Sequence, residues 1–420
     1  MLIKNGLVLY CLATTQNKQE RPSKMKTMPI SFFAQIIKLI PRGTFDKIVK
    51  EEKSDRFSKR LLSWDHLIAM LWCQFSGAES LRDIEKGLYS GVGKLQHIQA
   101  KPMSRSSLAY ANANRSYRVF ERLYYDLKDI LFKGDLGRLG NAFDRNVLSL
   151  DSTTISLCLS VYNWAHYRKA KGGIKLHTLL NNNDLLPEFM CMTNAIVNDV
   201  RAAKEKVLQH VPAHSILIMD RGYCDFELFR DLDAKGVTFV TRMKTNQKFT
   251  RTGTGTIGDN YGDFVISFTS QTALKKLGAD NRFRAVKWYS AEDDKWFVFV
   301  TNAKSDIDAE QVANLYKDRW QIELFFKKMK QNLKIQSFVG TSENAVLVQI
   351  WTAAICVLLQ MFLQKRSTYR WNFSGMVLCI RLNLMTMKDL EAWLIKPDIC
   401  IYPGEDPDGQ QNPNQQLLFE

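Results

Sequence analysis

Residues 147–243 contain strand-like and helix-like stretches in an order that few folds can accommodate. Runs rich in β-branched and apolar residues, separated by short polar turns such as NNNDLLP, favour strands. Three such runs come first: NVLSLDSTTISLCL, IKLHTLL and EFMCMTNAIV. A helical stretch, DVRAAKEKVLQHV, and a fourth strand, SILIMD, follow. A second helix, from Phe226 to Ala234, then leads to a fifth strand, VTFVTRM. The order predicts a mixed α/β (α+β) sheet of three antiparallel strands extended by alternating helices and strands.

Two of these strands run directly into an aspartate. Asp151 follows the apolar run LSL, and Asp220 follows ILIM. The predicted order is the one expected for a ribonuclease H-like sheet, in which the first and fourth strands are neighbours. Asp151 should then end the first strand and Asp220 the fourth, with both carboxylates at one edge. Taken singly, each aspartate is better explained as a helix cap or turn residue, and it is their arrangement that favours a functional role.

The stretch from Tyr316 to Lys330, YKDRWQIELFFKKMK, predicts a helix with a narrow charged strip. No Pro or Gly occurs from Asp306 to Val339, and Ser305 with Asp308 has the spacing of a helix cap. At about 100° per residue the strip falls within an arc of about 60° beside the apolar face. The strip comprises Tyr316, Arg319, Glu323 and Lys330, and the apolar face Leu315, Ile322, Phe326, Met329 and Leu333.

A solvated face with ordinary charge pairs is the usual meaning of such a strip. Here a phenol and an excess of cations, including Lys327, surround a single acid, and this combination suits a phosphate ligand. The whole chain has the same bias, since its 420 residues include 58 Lys+Arg against 43 Asp+Glu, a net charge of +15. A polyanionic partner is expected, although charge alone does not distinguish DNA from RNA or a membrane surface.

The cysteines argue against a zinc site or a disulfide framework. All eight are scattered, without a C-x-x-C pair or a paired spacing with histidine. This usage fits a reducing cytoplasm.

The spacing Tyr-x2-Arg-x3-Glu-x6-Lys that begins at Tyr316 resembles the signature of DDE-type insertion-sequence transposases, the cut-and-paste group with a ribonuclease H-like catalytic core. KGGIKLHTLL, DRGY and FVTRMK are further similar segments, and the resemblance extends from about Ser31 to Leu394. It implies Asp151, Asp220 and Glu323 as the catalytic, metal-binding triad. The cofactor would be Mg²⁺ or Mn²⁺, as two ions about 3.5 to 4 Å apart that serve both cutting and joining of phosphodiester bonds.

The resemblance also implies a set of DNA contacts. Tyr316, Arg319 and Lys330 would hold the DNA backbone beside the scissile phosphate, while Arg242 and Lys244 would face DNA. A tryptophan of the β-rich region would stack on a base flipped out near the transposon end. Trp296 fits that position best; Trp288 competes, and simple core packing explains Trp296 equally well.

The implied function is a transposase that binds the terminal inverted repeats of its insertion sequence, excises the element by metal-dependent cleavage and joins it to target DNA. Its partners would be double-stranded DNA at the transposon ends and target, and a second copy of the chain in a homodimeric DNA complex. The implied location is the bacterial cytoplasm, in association with the nucleoid and without a membrane.

The region from Ser31 to about Asn141 is helical in pattern. SLRDIEKGL and SRSSLAYANANR, the second capped by Ser104, resemble a helix-turn-helix whose second helix would enter a major groove. Arg105 and Arg115, together with Asn112, Asn114 and Arg118, would then supply phosphate and base contacts. The linker between the two helices is long for that motif, and a plain helical bundle explains the pattern as well.

The predicted division of the chain follows from these patterns. It comprises a disordered extension (1–28), a helical DNA-binding domain (29–141), a ribonuclease H-like core (142–245 and 301–370), a β-rich insertion (246–300), a C-terminal helical region (371–401) and a disordered tail (402–420). The mostly apolar run from Ala345 to Leu363 is long enough to span a bilayer, but glutamine and threonine interrupt it. We expect it to be a core helix that packs on the sheet.

Three other functions are compatible with parts of the pattern. A ribonuclease H-like nuclease would cut without strand transfer, and a regulator with decayed acids would bind DNA without cutting. A membrane-associated protein could be built around residues 345–363.

Overall fold

The computed structural model describes residues 30–58, 60–133, 143–158, 160–162, 164–168, 171–253, 255–332 and 338–397. It is a mixed α/β protein with a helical N-terminal region and one large sheet. The predicted disordered extension (1–28) and tail (402–420), and Leu333 of the predicted apolar face, lie outside these residues.

In the described residues before the sheet the chain forms seven α-helices. Serine hydroxyls cap three of them by accepting the N–H group three residues on, and the predicted Ser104 cap is confirmed, with Ser31 and Ser80 in the same role. The helices are α1 (Phe32–Ile37), α2 (Arg42–Glu51), α3 (Ser63–Ser76), α4 (Leu81–Ser90), α5 (Val92–Leu95), α6 (Arg105–Asn114) and α7 (Arg118–Leu131).

Within the ranges given above, the central part of the chain forms a sheet of eleven strands with three α-helices between them. The strands are β1 (Val147–Leu157), β2 (His166–Arg168), β3 (Lys171–Asn181), β4 (Leu186–Asn194), β5 (Ile216–Met219), β6 (Thr238–Arg242), β7 (Phe249–Arg251), β8 (Thr256–Gly258), β9 (Tyr261–Phe268), β10 (Phe283–Ser290) and β11 (Lys295–Thr301). The helices are α8 (Asp199–Ala202), α9 (Phe226–Ala234) and α10 (Gln271–Leu277).

The strand order is β2-β3-β1-β5-β6-β11-β10-β9-β7, with β4 also paired to β3 and β8 to β9. β1 is antiparallel to β3 and parallel to β5, and β5 is parallel to β6. The five predicted strands are therefore confirmed as β1, β3, β4, β5 and β6. Strands β9 to β11 continue the same sheet through the antiparallel β6–β11 pair instead of forming a separate sheet.

After the sheet, the described residues form the helices α11 (Ala309–Asp318), α12 (Trp320–Asn332), α13 (Glu343–Arg366), α14 (Phe373–Asn383) and α15 (Leu390–Ile395). Among the described helices, only α13 is long and apolar enough to cross a membrane, and 83% of its most apolar window is buried within the protein. The prediction of a core helix is confirmed.

The main contacts of α13 are with helices, although α13 shares one hydrophobic core with residues of β1, β3 and β4. Helices surround it: it contacts α3, α6 and α7 from the N-terminal region and α12 and α14 from the C-terminal region. The fully buried Trp351 lies 5.7 Å from the rings of both Tyr124 and Tyr125 on α7. A helix that is apolar all round can be enclosed by other helices as readily as by a sheet, so its sequence does not name its neighbours.

The helices of residues 29–141 share one hydrophobic core with α12 to α15 and with β1, β3 and β4. Hydrogen bonds reinforce this connection. The Asn344 side chain on α13 donates to the carbonyls of Asn112 (2.8 Å) and Arg115 (2.7 Å) and accepts from the Tyr117 N–H group (3.1 Å). Residues 29–141 therefore do not bury a core of their own.

Removing the Trp351 side chain should destabilise the whole protein. We expect Trp351→Ala to lower the free energy of unfolding by about 3 to 5 kcal/mol, because it empties a closed site between α13 and α7. Denaturant unfolding followed by circular dichroism measures the change. The control is Leu382→Ala on α14, where the side chain is 71% exposed and little change is expected. Equal effects of the two substitutions would show that α13 is not the centre of the core.

Candidate active site

Asp151 and Asp220 occupy equivalent places on two neighbouring parallel strands. The β1–β5 pairing ends with Leu150 opposite Met219, and the two aspartates are the next residues. Neighbouring strands lie about 4.8 Å apart, so the two carboxylates start from adjacent backbone positions. The prediction that Asp151 ends the first strand is wrong, because β1 continues to Leu157 in its pairing with β3.

The two aspartates lie on the sheet face that α11 covers. Side chains alternate between the faces of a strand. Leu150 and Met219 belong to the cluster packed around α9, while Val147 and Ile218 belong to the cluster that includes Val312 of α11. By alternation Asp151 and Asp220 face the second cluster, where α11 leads into the charged strip.

The strip is carried by two helices, and the prediction of one continuous helix is wrong. Arg319 separates α11 from α12, and the N–H groups of Arg319 and Ile322 bond to carbonyls three residues back, at 3.2 Å each. This tight turn lies where the chain passes between two cores. Val312 and Leu315 pack in the cluster beside the sheet, whereas Ile322, Phe326 and Met329 pack in the helical core.

The start of α11 also differs from the prediction. Asp308, not Ser305, is its N-terminal cap. The Asp308 carboxylate accepts from the Gln311 N–H group (2.7 Å), and Gln311 Oε1 accepts from the Asp308 N–H group (2.8 Å). The reciprocal Asp-x-x-Gln box satisfies two N–H groups and therefore sets the first turn.

Arg319 joins the strip to the sheet edge. Its Nη1 is 2.6 Å from Glu323 Oε1 and 3.7 Å from Asp151 Oδ2, and its side chain is only 17% exposed. The Arg319 guanidinium carbon lies 5.5 Å from the centre of the Tyr316 ring. The predicted residues Asp151, Tyr316, Arg319 and Glu323 are thus brought together, with Asp220 on the adjacent strand.

The cluster carries more negative charge than its cation neutralises. The pKa of Asp151 is raised to about 6, mainly by burial; the charges of Asp220 and Glu323 act in the same direction, whereas the Ser152 N–H group and Arg319 act in the opposite direction. Closely spaced carboxylate oxygens are the donors preferred by hard divalent cations. Among the described residues, however, no three carboxylate, histidine or cysteine side chains converge as a ready metal site, and Arg319 lies between Asp151 and Glu323.

Comparison with known proteins identifies the family of the chain. The family described as "Transposase DDE domain" matches residues 142–359. The chain belongs to this transposase family. A second family, described as a domain of unknown function, matches residues 29–101.

Three relatives are named as transposases. A Sinorhizobium fredii protein named as a transposase is 33% identical over 276 residues, 64% of this chain and 74% of the relative. A transposase named for an insertion sequence element of Geobacillus stearothermophilus is 28% identical over 233 residues, 55% of this chain and 60% of the relative. Another, from Synechocystis, is 26% identical over 276 residues, 63% of this chain and 73% of the relative.

The protein is therefore an insertion-sequence transposase, an enzyme that cleaves and moves DNA. DNA is its substrate, and the chemistry of the family depends on divalent metal ions.

Further predicted residues of the transposase lie along the same edge of the sheet. Arg242 ends β6 next to the level of Asp220, and its guanidinium lies 4.6 Å from the Phe297 ring. Tyr316 packs 5.0 Å from the Phe299 ring, and burial raises its pKa. Lys244 is tied down by a 2.8 Å bond to the Cys224 carbonyl.

Lys330 lies seven residues beyond Glu323 on α12, about 10 Å along the helix axis. It is half-buried, and burial lowers the pKa of its ammonium group.

Trp296 is the more accessible of the two candidate tryptophans. Its side chain is 46% exposed, and Lys287 Nζ lies 4.2 Å from the ring centre. Phe299 pairs with Arg242. Trp296 lies three residues before Phe299 on β11, about 10 Å beyond the level of the aspartates. Trp288 is partly buried and packs 6.3 Å from the Tyr261 ring.

Of the residues predicted to contact DNA from the N-terminal helices, some are exposed and others are buried. Arg105 is exposed at the start of α6. The Arg115 guanidinium points inward, bonding to Ser58 Oγ (3.0 Å) and the Leu61 carbonyl, and its side chain is 11% exposed. Asn112 is buried and hydrogen-bonded to His66 (2.7 Å), so its prediction as a DNA contact is wrong. A helix face is exposed or buried according to its packing partners, which the local pattern does not identify.

Sequence patterns also missed residues close to the site. Trp320 follows Arg319 and is 54% exposed. Ser152, Lys175 and Asp199 form a network behind Asp151. Ser152 begins the Ser-Thr-Thr run after Asp151, and Lys175 belongs to KGGIKLHTLL, so the only available signals were polar residues inside otherwise apolar strands.

The raised pKa of Asp151 predicts a pH dependence of stability without metal. Between 3.8 and about 6 the folded protein keeps a proton that the unfolded chain releases, so stability falls as pH rises through that interval. Asp151→Asn should remove this loss, on the order of 3 kcal/mol, and raise the melting temperature at pH 7.5 in EDTA. Thermal melts from pH 3.5 to 7.5 test this against Asp46→Asn on α2. A pH dependence that Asp151→Asn leaves intact would contradict it.

Proposed function

We propose that this transposase binds the terminal inverted repeats of its insertion sequence, excises the element by metal-dependent phosphodiester cleavage and joins it to target DNA. The observation that supports this most directly is the placement of Asp151 and Asp220 side by side, with Glu323 held toward Asp151 by Arg319. We also infer a ribonuclease H-like catalytic core at 142–245 and 301–370, with residues 246–300 as a β-rich insertion into it. Residues 371–401 form the C-terminal helical region in this division.

Asp151, Asp220 and Glu323 are the proposed ligands of two Mg²⁺ or Mn²⁺ ions. The donor set fits, because it is all oxygen and carries uncompensated charge at Asp151. When bound, such ions activate a water or 3′-hydroxyl and stabilise the leaving oxygen. In the metal-free site the single Arg319 guanidinium offsets part of the charge of Asp151 and Glu323, and Glu323 would join the aspartates when Arg319 turns away.

Arg319 has a second proposed role at the DNA backbone. Its buried Nε atom makes no hydrogen bond to any described residue, so a donor is available beside the carboxylates. A phosphate would satisfy this donor and compensate the guanidinium for the loss of Asp151 and Glu323. Tyr316 lies against the guanidinium, and Lys330 adds a cation further along α12. Together they would align the scissile phosphate.

The remaining proposed DNA contacts extend from this centre. Arg242 and Lys244 continue the sheet edge toward Trp296, whose exposed ring can stack on a flipped base. Arg105 on α6 would contact the terminal repeat, as part of a helical DNA-binding region at 29–141. Arg115, predicted as a DNA contact, would act indirectly, because its guanidinium already bonds to the loop before α3. We further propose a homodimeric DNA complex in the bacterial cytoplasm, associated with the nucleoid.

Loss of any one acid should abolish catalysis without abolishing DNA binding. We expect Asp151→Asn, Asp220→Asn and Glu323→Gln each to reduce cleavage by at least about a hundredfold, because each removes a metal ligand and no cation. Gel-shift assays on terminal-repeat DNA and a joining assay on a supercoiled plasmid, with Mg²⁺ and with EDTA, measure the two properties. The matched control is Asp46→Asn.

The outcomes of this experiment separate the alternatives. Cleavage by the wild type without joining would indicate a nuclease, and binding without metal-dependent cleavage would indicate a decayed regulator. Full cleavage by any one of the three variants would remove that residue from the triad.

The cations of the strip should affect later steps more than the first nick. Arg319→Ala and Lys330→Ala keep all three carboxylate side chains but lose phosphate alignment, so nicking should persist in part while hairpin and joined products fall more steeply. Trp296→Ala should reduce hairpin formation selectively, and Trp288→Ala is its control. A time course that resolves nicked, hairpin, excised and joined DNA tests all of them. An exposed charge contributes about 0 to 1 kcal/mol, so an ordinary helix face would give wild-type kinetics at every step.

A further inference from the structure

A second cluster of polar side chains, Ser152, Lys175 and Asp199, lies on the opposite face of β1 from Asp151. The Ser152 hydroxyl donates to Asp199 Oδ1 (2.7 Å), and the Ser152 N–H group donates to Asp151 Oδ1 (2.7 Å). Lys175 Nζ lies 3.1 Å from Asp199 Oδ1 and donates to the Val197 carbonyl (3.1 Å). Two hydrogen bonds thus connect Asp199 to Asp151 through one residue.

The sheet places this group behind the carboxylates. Ser152 pairs with His177 across β1 and β3, and Thr154 pairs with Lys175, so Ser152 and Lys175 share the face away from Asp151. Lys175 is 14% exposed and Asp199 35% exposed, and the wholly buried His177 has Nδ1 3.8 Å from Asp199 Oδ1. The oxygens of Asp199 are therefore already engaged, and Asp199 is not positioned as another metal ligand.

Asp220, at the end of β5, caps a turn whose residue Tyr223 is close to the Ser152, Lys175 and Asp199 cluster. Asp220 Oδ1 accepts from the Gly222 N–H group (2.7 Å) and so caps the short turn that carries Tyr223. The Tyr223 hydroxyl is buried and makes no hydrogen bond to any described residue. Burial is the main cause that raises the pKa of Tyr223 well above its usual value; the charges of Asp151 and Asp199 act in the same direction, and Ser152 acts in the opposite one.

We propose that Asp199, held by Lys175, is a positioning residue for Asp151: it fixes Ser152 and thereby sets the direction of the Asp151 carboxylate relative to Asp220. The inference rests on the proposed role of Asp151 as a metal ligand. A carboxylate that is free to rotate must be ordered when an ion binds, and a fixed one is ordered already. Outer residues that orient metal ligands are typically worth about 10- to 100-fold in metal affinity or activity.

The test measures Mn²⁺ binding to the full chain without DNA, by isothermal titration calorimetry and by electron paramagnetic resonance of free Mn²⁺. We expect Asp199→Ala and Ser152→Ala to weaken Mn²⁺ binding by about 10- to 100-fold. The Mn²⁺ concentration for half-maximal cleavage should rise by a similar factor, while cleavage at saturating Mn²⁺ falls much less. Asp199→Asn keeps an acceptor for Ser152 but loses the charge pair with Lys175, so it should recover part of the affinity.

The chain offers a matched control for a merely structural ion pair. Lys128 and Glu188 are 14% and 34% exposed, nearly the same as Lys175 and Asp199, but join α7 to β4 away from the aspartates. Glu188→Ala should leave Mn²⁺ affinity at the wild-type value, whatever it does to the melting temperature.

Each other outcome would overturn the inference. Ser152→Ala deletes only one hydroxyl, so it can be tested even if Asp199→Ala does not fold. Wild-type Mn²⁺ affinity in Ser152→Ala would show that the connection does not position Asp151. An equal loss in Glu188→Ala would reduce the effect to general destabilisation. If Asp151→Asn also binds Mn²⁺ like the wild type, the proposed metal site itself fails; if only Asp151→Asn loses binding, the metal site stands and the role of Asp199 fails.

Discussion

The parallel pairing of β1 with β5 determines where the charges of this transposase lie. It buries one set of side chains toward α9 and the alternate set toward α11, and it stops at Leu150 and Met219. The next residue on each strand is an aspartate, so two acids lie at adjacent backbone positions. A buried carboxylate is costly unless a cation or hydrogen-bond donors compensate it, and the raised pKa of Asp151 shows that compensation here is incomplete. The fold thus maintains a site that favours added positive charge.

Arg319 supplies part of that charge because of where it lies in the packing. It occupies the tight turn at which the chain leaves the core beside the sheet and enters the helical core. α11 therefore fixes Tyr316 against Phe299 of the sheet, while α12 fixes Glu323 through the helical core. Arg319 is the link between the two, and its guanidinium contacts carboxylates from both sides. A shift of α12 relative to the sheet would change the distance between Glu323 and the aspartates.

Much of the sheet could be predicted from sequence because its signals are local. Strand runs, polar turns and the helix at Phe226–Ala234 are read over short windows, and the order of elements then implies that β1 and β5 are neighbours. The break at Arg319 could not be predicted, because a turn with bonds to carbonyls three residues back leaves the apolar periodicity almost unchanged. The inward direction of Arg115 and the burial of Asn112 depend on contacts with distant helices. Asp199 was missed for the same reason, since its partner Ser152 is on another strand.

The shared helical core also limits how DNA recognition can work in this protein. Asn344, near the start of α13, holds the turn between α6 and α7 through three hydrogen bonds. α12, which carries Glu323, packs against the same α13. An N-terminal region with its own core on a flexible linker could bind DNA independently of the site, but here the proposed DNA-binding helix and the acidic helix rest on one buried support. In the proposed function, the distance from a bound terminal repeat to the carboxylates would then be set by packing, and recognition of the repeat and alignment of the scissile phosphate would depend on the same core.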